Sequence, residues 1–279
     1  MQNKIQEKIQ SKISVIKNAE PDTKTLILDF DRTLICGKVN GVEVPSITSI
    51  LRSEDYLDED YAERAHALFE YYHSIEKNPD MSDADKSEKM HEWWTKHFDI
   101  MIEKKLNIKH IQQAVQSELL VFRPGVKEML KLAFDKNIQV IILSAGGLGY
   151  DSIKLLLERD HITYDNIEII SNKMVWGNNG VMTGYLEPLI HSGNKYNFIS
   201  NEQIKKNIII IGDGLHDAFI VKDSQVDTPE ENKKNILRIG IYENTKTGPS
   251  DSNLEKYQEA FDIVMINEDI DFKKVIEFL

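Results

Sequence analysis

The chain has 279 residues and a mass of 32.2 kDa, enough for one large domain or two modest ones with a substantial core. Hydrophobic residues make up 41% and, with 14 glycines, fall in the ordinary globular range, which excludes a disordered or collagen-like chain. The 34 Lys plus Arg against 46 Asp plus Glu give a net charge of -12, the wrong sign for binding nucleic acid through its phosphates, and a single cysteine, Cys36, excludes an internal disulfide.

In chain order, Ile5, Ile9, Ile13 and Ile16 are spaced for one face of an amphipathic helix. Its polar face is mixed in charge, so the expectation is a helix laid on the core, not a signal peptide or a membrane-surface segment. Compact apolar runs follow at 25–28, 138–143, 167–170, 208–211, 237–241 and 263–266, of the kind found in strands buried on both faces. Helical patterns at 126–136 and 150–159 lie between them, predicting an α/β fold with a doubly wound, mostly parallel sheet. Residues 38–120 interrupt the alternation with helical stretches rich in charge and aromatics and no convincing strand, so the core is expected from 1–37 and 121–279 with a helical cap domain inserted between. Asn178-Asn179-Gly180, within 176–190, predicts a β-hairpin. No apolar run approaches the roughly 20 residues of a membrane span.

Ligands of such sheets sit beyond the carboxyl ends of the strands, so the residues just after each run carry the chemistry. After the first comes Asp29-Phe30-Asp31-Arg32-Thr33; in extended chain Asp29 and Asp31 point to one face and repel unless a cation lies between them. The alternative for either aspartate is a turn or a helix cap. After the fourth run, Gly212-Asp213-Gly214-Leu215-His216-Asp217 brings two more carboxylates to the same edge. Four converging oxygen donors favour Mg2+, and no cysteine or histidine spacing implies zinc. Ser144-Ala145-Gly146 ends the second run with a hydroxyl and backbone N–H groups suited to an anion, or simply with a tight turn. Lys195 is either a cation for a phosphate or acid pair, or solvated surface.

The ordered set Asp-x-Asp-x-Thr, Ser, Lys and Gly-Asp-x-x-x-Asp resembles the four motifs of the haloacid dehalogenase-like phosphohydrolase superfamily, in which a cap is inserted between the first two. More narrowly, Glu92-Trp93-Trp94, Ser144-Ala145-Gly146, Asn179-Gly180-Val181, Leu189-Ile190-His191, Asn194-Lys195 and residues 257–264 resemble the cytosolic 5'-nucleotidase III (pyrimidine 5'-nucleotidase) family. The resemblance implies Asp29 as nucleophile and Asp31 as acid/base. It implies Mg2+ held by the Asp29 side chain, the Asp31 backbone carbonyl and Asp213, with Asp217 in support, and Ser144, Ala145 and Lys195 around the phosphate. Thr33 is expected to brace the loop. Glu76 matches the cap glutamate that hydrogen-bonds the base, where residue type alone suggests a solvated charge. His97 departs from a base-contacting serine of the family, and the turn from Gly146 to Asp151 is longer than the family pattern. Trp93 and Trp94 are expected in the cap core, with stacking of one of them on the base as the alternative.

The resemblance implies an enzyme for a small-molecule nucleoside monophosphate, with pyrimidines favoured; the lack of a secretion signal makes the cytoplasm the expected location and a monomer is the expected state, while the net charge and the lack of an apolar span argue against nucleic acid and membrane as partners. The rivals are a phosphatase for another phosphomonoester, such as a sugar phosphate, and a catalytically silent binding module; against the latter, every motif position carries a competent residue. Residues 38–120 hold 17 acids against 10 Lys plus Arg, so much of the negative charge falls on the insertion and leaves an anionic substrate admissible.

Overall fold

The structure is a computed structural model that describes residues 2–53, 56–78, 80–222, 233–243 and 252–279. Helix α1 (Gln2–Asn18) buries Ile16 against the core and is pinned by an ion pair from Lys12 to Asp262 at 2.7 Å. Strand β1 (Lys24–Leu28) follows, then a two-residue hairpin of β2 (Lys38–Val39) and β3 (Val42–Glu43). This hairpin corrects the expectation that 38–120 contains no strand. Its turn is Asn40-Gly41, both residues at positive φ, so the usable signal was the turn pair rather than the strands, which are too short and polar to show a pattern.

Four helices come next: α2 (Ile47–Ser53), α3 (Glu59–Glu76), α4 (Asp83–Glu103) and α5 (Ile108–Ala114). Asp58 and Ser82 cap α3 and α4 by accepting from Tyr61 N and Asp85 N. The alternating part resumes with α6 (Val126–Asp135), β4 (Gln139–Ser144), α7 (Gly149–Arg159) and β5 (Ile167–Ser171). The expected hairpin is β6 (Met174–Trp176) with β7 (Met182–Tyr185), turning at Gly180 with φ 76°. The chain closes with β8 (Asn207–Gly212), β9 (Asn235–Tyr242), α8 (Ser252–Ala260), β10 (Ile263–Ile266) and α9 (Lys273–Ile276).

The six apolar runs form one parallel sheet in the order β10-β9-β8-β1-β4-β5. Side chains alternate faces, so Leu26, Leu28, Val140, Ile142, Ile209 and Ile211 enter one buried cluster while Ile27, Ile141, Leu143, Ile208 and Ile210 enter another. The chain winds from β1 toward β4 and β5 and later resumes on the opposite side with β8, so the order reverses between β1 and β8. A crevice opens at such a reversal, beyond the carboxyl ends of the strands. Asp29 and Asp213 follow the two strands that flank it.

Candidate active site

Asp29 continues β1, its N–H donating to Ile211 O of β8 at 2.9 Å, and its carboxylate is buried. Thr33 Oγ1 donates to Asp29 Oδ2 at 2.9 Å, and Lys195 Nζ donates to Asp29 Oδ1 at 2.5 Å and to Asp217 Oδ1 at 2.8 Å. Asp217 Oδ2 accepts from Gly214 N at 2.9 Å, and the Tyr257 hydroxyl donates to the Asp213 carbonyl. Carboxylate oxygens of Asp29, Asp213 and Asp217 lie within 4.8 Å of one another.

Three carboxylates converge there, not four. The chain leaves the extended conformation after Phe30 and turns over 31–34 with Arg32 at φ 60°, so the Asp31 carboxylate is set apart from the cluster and faces the Gly146 turn. Removal from water and the Asp29 charge raise Asp31 to about 7, against the opposing effect of the Ile47 N–H. Burial, then Asp29 and Asp217, push Asp213 well up. Burial also raises Asp217, with Lys195 opposing. For Lys195, burial works against the charge, but Asp217 and Asp29 outweigh it and raise its pKa. One ammonium faces three carboxylates. The donor set of clustered, desolvated oxygens therefore fits a hard divalent cation.

Ser144 ends β4, and its Oγ accepts from Gly146 N at 3.1 Å, so that amide is engaged within the turn. The turn from Gly146 to Asp151 is tied to α2 and α4, since Leu148 N donates to Thr48 Oγ1 of α2 at 3.2 Å and Trp94 of α4 packs on Gly147.

A cavity of about 330 Å³ joins these parts, lined by Asp29, Asp31, Ser144 and Ala145 below and by Glu76, Trp93 and His97 above. Glu76 is half-buried at the end of α3, not a solvated charge. Its Oε1 accepts from Ser192 Oγ at 2.6 Å and its Oε2 lies 3.4 Å from His73 Nδ1. Trp93 lies parallel to Trp94 and Tyr72, with centroids at 5.1 and 5.9 Å, and packs with Tyr72 and Met90, so its ring chiefly serves burial while it also lines the cavity. His97 is buried, held neutral with its pKa lowered to about 3 by burial and by Arg52, and its Nε2 is 3.1 Å from Tyr61 Oη. Trp93 Nε1 and His97 Nδ1 are buried without hydrogen-bond partners among the described residues.

Phe69, His73, Arg52 and Thr48 also line the cavity and were not singled out from the sequence. A signal existed for two of them: Phe69, His73 and Glu76 are spaced by four and three, one face of α3. The Phe69 and His73 rings stack at 4.7 Å, and Arg52 sits 4.5 Å from the Phe69 centroid.

Residues 32–276 match the family model described as pyrimidine 5'-nucleotidase (UMPH-1). The chain is 28% identical over 265 residues to the human (Homo sapiens) 7-methylguanosine phosphate-specific 5'-nucleotidase, covering 92% of this chain and 84% of that protein. The Drosophila melanogaster protein of the same description is 26% identical over 258 residues, covering 89% and 76%. Among solved structures, cytosolic 5'-nucleotidase IIIB bound to cytidine superposes with a TM-score of 0.83 at 23% identity, covering 98% of this chain and 90% of that one. A substrate-bound phosphoserine phosphatase superposes at 0.53 and 14% identity, covering 92% and 97%. These two likenesses establish the haloacid dehalogenase-type fold.

Proposed function

Because the chain belongs to the pyrimidine 5'-nucleotidase (UMPH-1) family of phosphomonoester hydrolases, we propose that it hydrolyses nucleoside 5'-monophosphates through an aspartyl-phosphate at Asp29, with residues 38–120 acting as a cap over the carboxylate centre. The observation that carries this reading is the buried Asp29 carboxylate, held by Thr33 and Lys195 at the sheet's reversal point and opening into a cavity with an aromatic roof.

Asp29 attacks phosphorus, forming a P–O bond as the bond to the nucleoside O5' breaks, and Asp31 donates a proton to that oxygen. Asp31 then takes a proton from the water that hydrolyses the aspartyl ester, releasing inorganic phosphate and restoring Asp29. Such proton transfers contribute about 10² to 10⁴-fold, and a carboxyl near 7 is suited to both directions. Lys195, Ser144 and the backbone at Ala145 bind the phosphoryl oxygens. Asp29, Asp213 and the Asp31 carbonyl would hold Mg2+, with Asp217 in support; when bound it supplies neutralisation of the phosphate charge.

Glu76, half-buried in the cavity's lining, accepts hydrogen bonds from the base. Cytidine and 7-methylguanosine both offer an amino group to a carboxylate. The family description favours a pyrimidine, and the relatives' names favour 7-methylguanosine monophosphate. A cytosolic location is supported by the Caenorhabditis elegans relative named putative cytosolic 5'-nucleotidase 3. Steady-state kinetics with Mg2+ on CMP, UMP, 7-methyl-GMP, GMP, AMP and ribose 5-phosphate test the reading. A nucleotide is expected to exceed ribose 5-phosphate in kcat/KM, whereas a sugar phosphate exceeding every nucleotide by about tenfold, about 1.4 kcal/mol in transition-state stabilisation, would sink it.

A further inference from the structure

A buried ion pair outside the carboxylate cluster reaches the nucleophile's loop. Arg123, just before α6, has a side chain only 4% exposed, and Glu243, just after β9, has one 15% exposed. Arg123 Nη1 donates to Glu243 Oε1 at 2.9 Å, while its Nε donates to the Thr33 carbonyl at 3.0 Å and its Nη2 to the Arg32 carbonyl at 2.6 Å. Its own backbone N–H donates to the Leu34 carbonyl at 2.8 Å. One planar guanidinium thus holds two consecutive carbonyls of the turn that begins two residues after Asp29, a task that a lysine's single ammonium does not reproduce.

That turn needs holding. Arg32 sits in the left-handed region at φ 60°, which a non-glycine residue adopts only when its surroundings over-determine it. The adjacent Thr33 donates the hydrogen bond to Asp29 Oδ2. On the far side, Glu243 is pressed against the backbone: a Cβ placed on Gly37 would come within 1.7 Å of its Oε2. The glycine leaves the room in which the carboxylate meets Arg123.

We propose that Arg123 and Glu243 are positioning residues for the reaction, bracing the turn at Arg32 and Thr33 so that Asp29 and Asp31 keep their attack and proton-transfer geometry. The inference rests on Asp29 and Asp31 being the reacting groups. Because misplacement of about 1 Å costs as much as 10²-fold, Arg123→Lys is expected to lower kcat roughly 10- to 100-fold with KM held within about threefold. Gly37→Ala displaces the flexible end of Glu243 without touching Arg123, and is expected to lower kcat by about threefold to tenfold, again with KM held and with the thermal midpoint near wild type. Wild-type kcat in folded Arg123→Lys, or a rise in KM at constant kcat, overturns the proposal. Where Arg123→Lys does not fold, Gly37→Ala decides alone, and an unchanged kcat there overturns it. Asp29→Asn run beside them separates the two levels. If it stays active, the nucleophile assignment is lost; if it is dead while Arg123→Lys works at the wild-type rate, only the brace is lost.

Discussion

Lys195 is the residue on which the centre's charge balance turns, since its ammonium meets Asp29 at 2.5 Å and Asp217 at 2.8 Å inside the protein. Removing one partner from a buried pair leaves the other charges uncompensated, at a cost of about 3–5 kcal/mol. Lys195→Met is therefore expected to lower urea-unfolding stability by that order in chelator, with partial recovery on adding Mg2+. Unaltered stability in chelator would contradict the balance described here. Lys195 was legible as a candidate cation only from the order Asp-x-Asp-x-Thr, Ser, Lys and Gly-Asp-x-x-x-Asp, since a lysine by itself reads equally as solvated surface. Its partners were not legible, since the bond to Asp29 spans 166 residues and no local pattern encodes it. The same holds for Arg123, which stands just before the helical pattern of 126–136 with no local sign of a role; its bond to Glu243 spans 120 residues.

Between elements, the contact that matters most is the one joining α3 and α4 to the loop before Lys195. Ser192 Oγ donates to Glu76 of α3, and His191 Nε2 lies 3.3 Å from Ser87 Oγ of α4. His191 Nδ1 accepts from Gly193 N at 3.2 Å, so the ring's proton sits on Nε2 and points to Ser87. The proposed base contact at Glu76 and the proposed phosphate-binding Lys195 thus meet at one loop. A hydrogen bond to a charged group is worth enough that Ser192→Ala should lower the kcat/KM ratio of the best nucleotide over ribose 5-phosphate by about tenfold. An unchanged ratio would mean that Ser192 does not orient Glu76. The strands that build the sheet were readable because each is a short apolar run between helical patterns. The β2–β3 hairpin was not, because four polar-flanked residues carry no period; only Asn40-Gly41 betrayed it. The displaced Asp31 was missed for a related reason: the turn that begins at Asp31, with Thr33 N and Leu34 N donating to Phe30 O, ends the extended run on which the period-two rule rests.

At the scale of the whole molecule, residues of 38–120 pack into the same core as the sheet, for Tyr61, Phe98 and Met101 share one buried cluster with Leu26 and Leu28 of the central strand. That shared core holds neutral His97, whose pKa is lowered to about 3, and the loop beside it holds His191, lowered to about 4 chiefly by burial. A histidine with a depressed native pKa binds its proton first in the unfolded chain, so its contribution is present above about pH 6.5 and is lost as pH falls toward the native value. The raised carboxyls of Asp31, Asp213 and Asp217 act with the opposite sign, so the effect is read as a difference between paired proteins. Wild type should lose stability relative to His97→Gln by about 1.4 kcal/mol per pH unit between roughly pH 6 and pH 4, measured by urea unfolding. A pH-independent difference would mean that His97 is not held neutral by the fold.

A buried aspartate at the reversal point of the sheet is proposed to perform nucleotide hydrolysis. The most direct test of that role is turnover of the best 5'-nucleotide, with Mg2+ present, by wild type and by Asp29→Asn purified side by side and matched in thermal midpoint. Loss of about 10³-fold or more in kcat is predicted, since removing a nucleophile leaves only binding and charge effects. Asp29→Asn turning over the nucleotide within tenfold of wild type would contradict it.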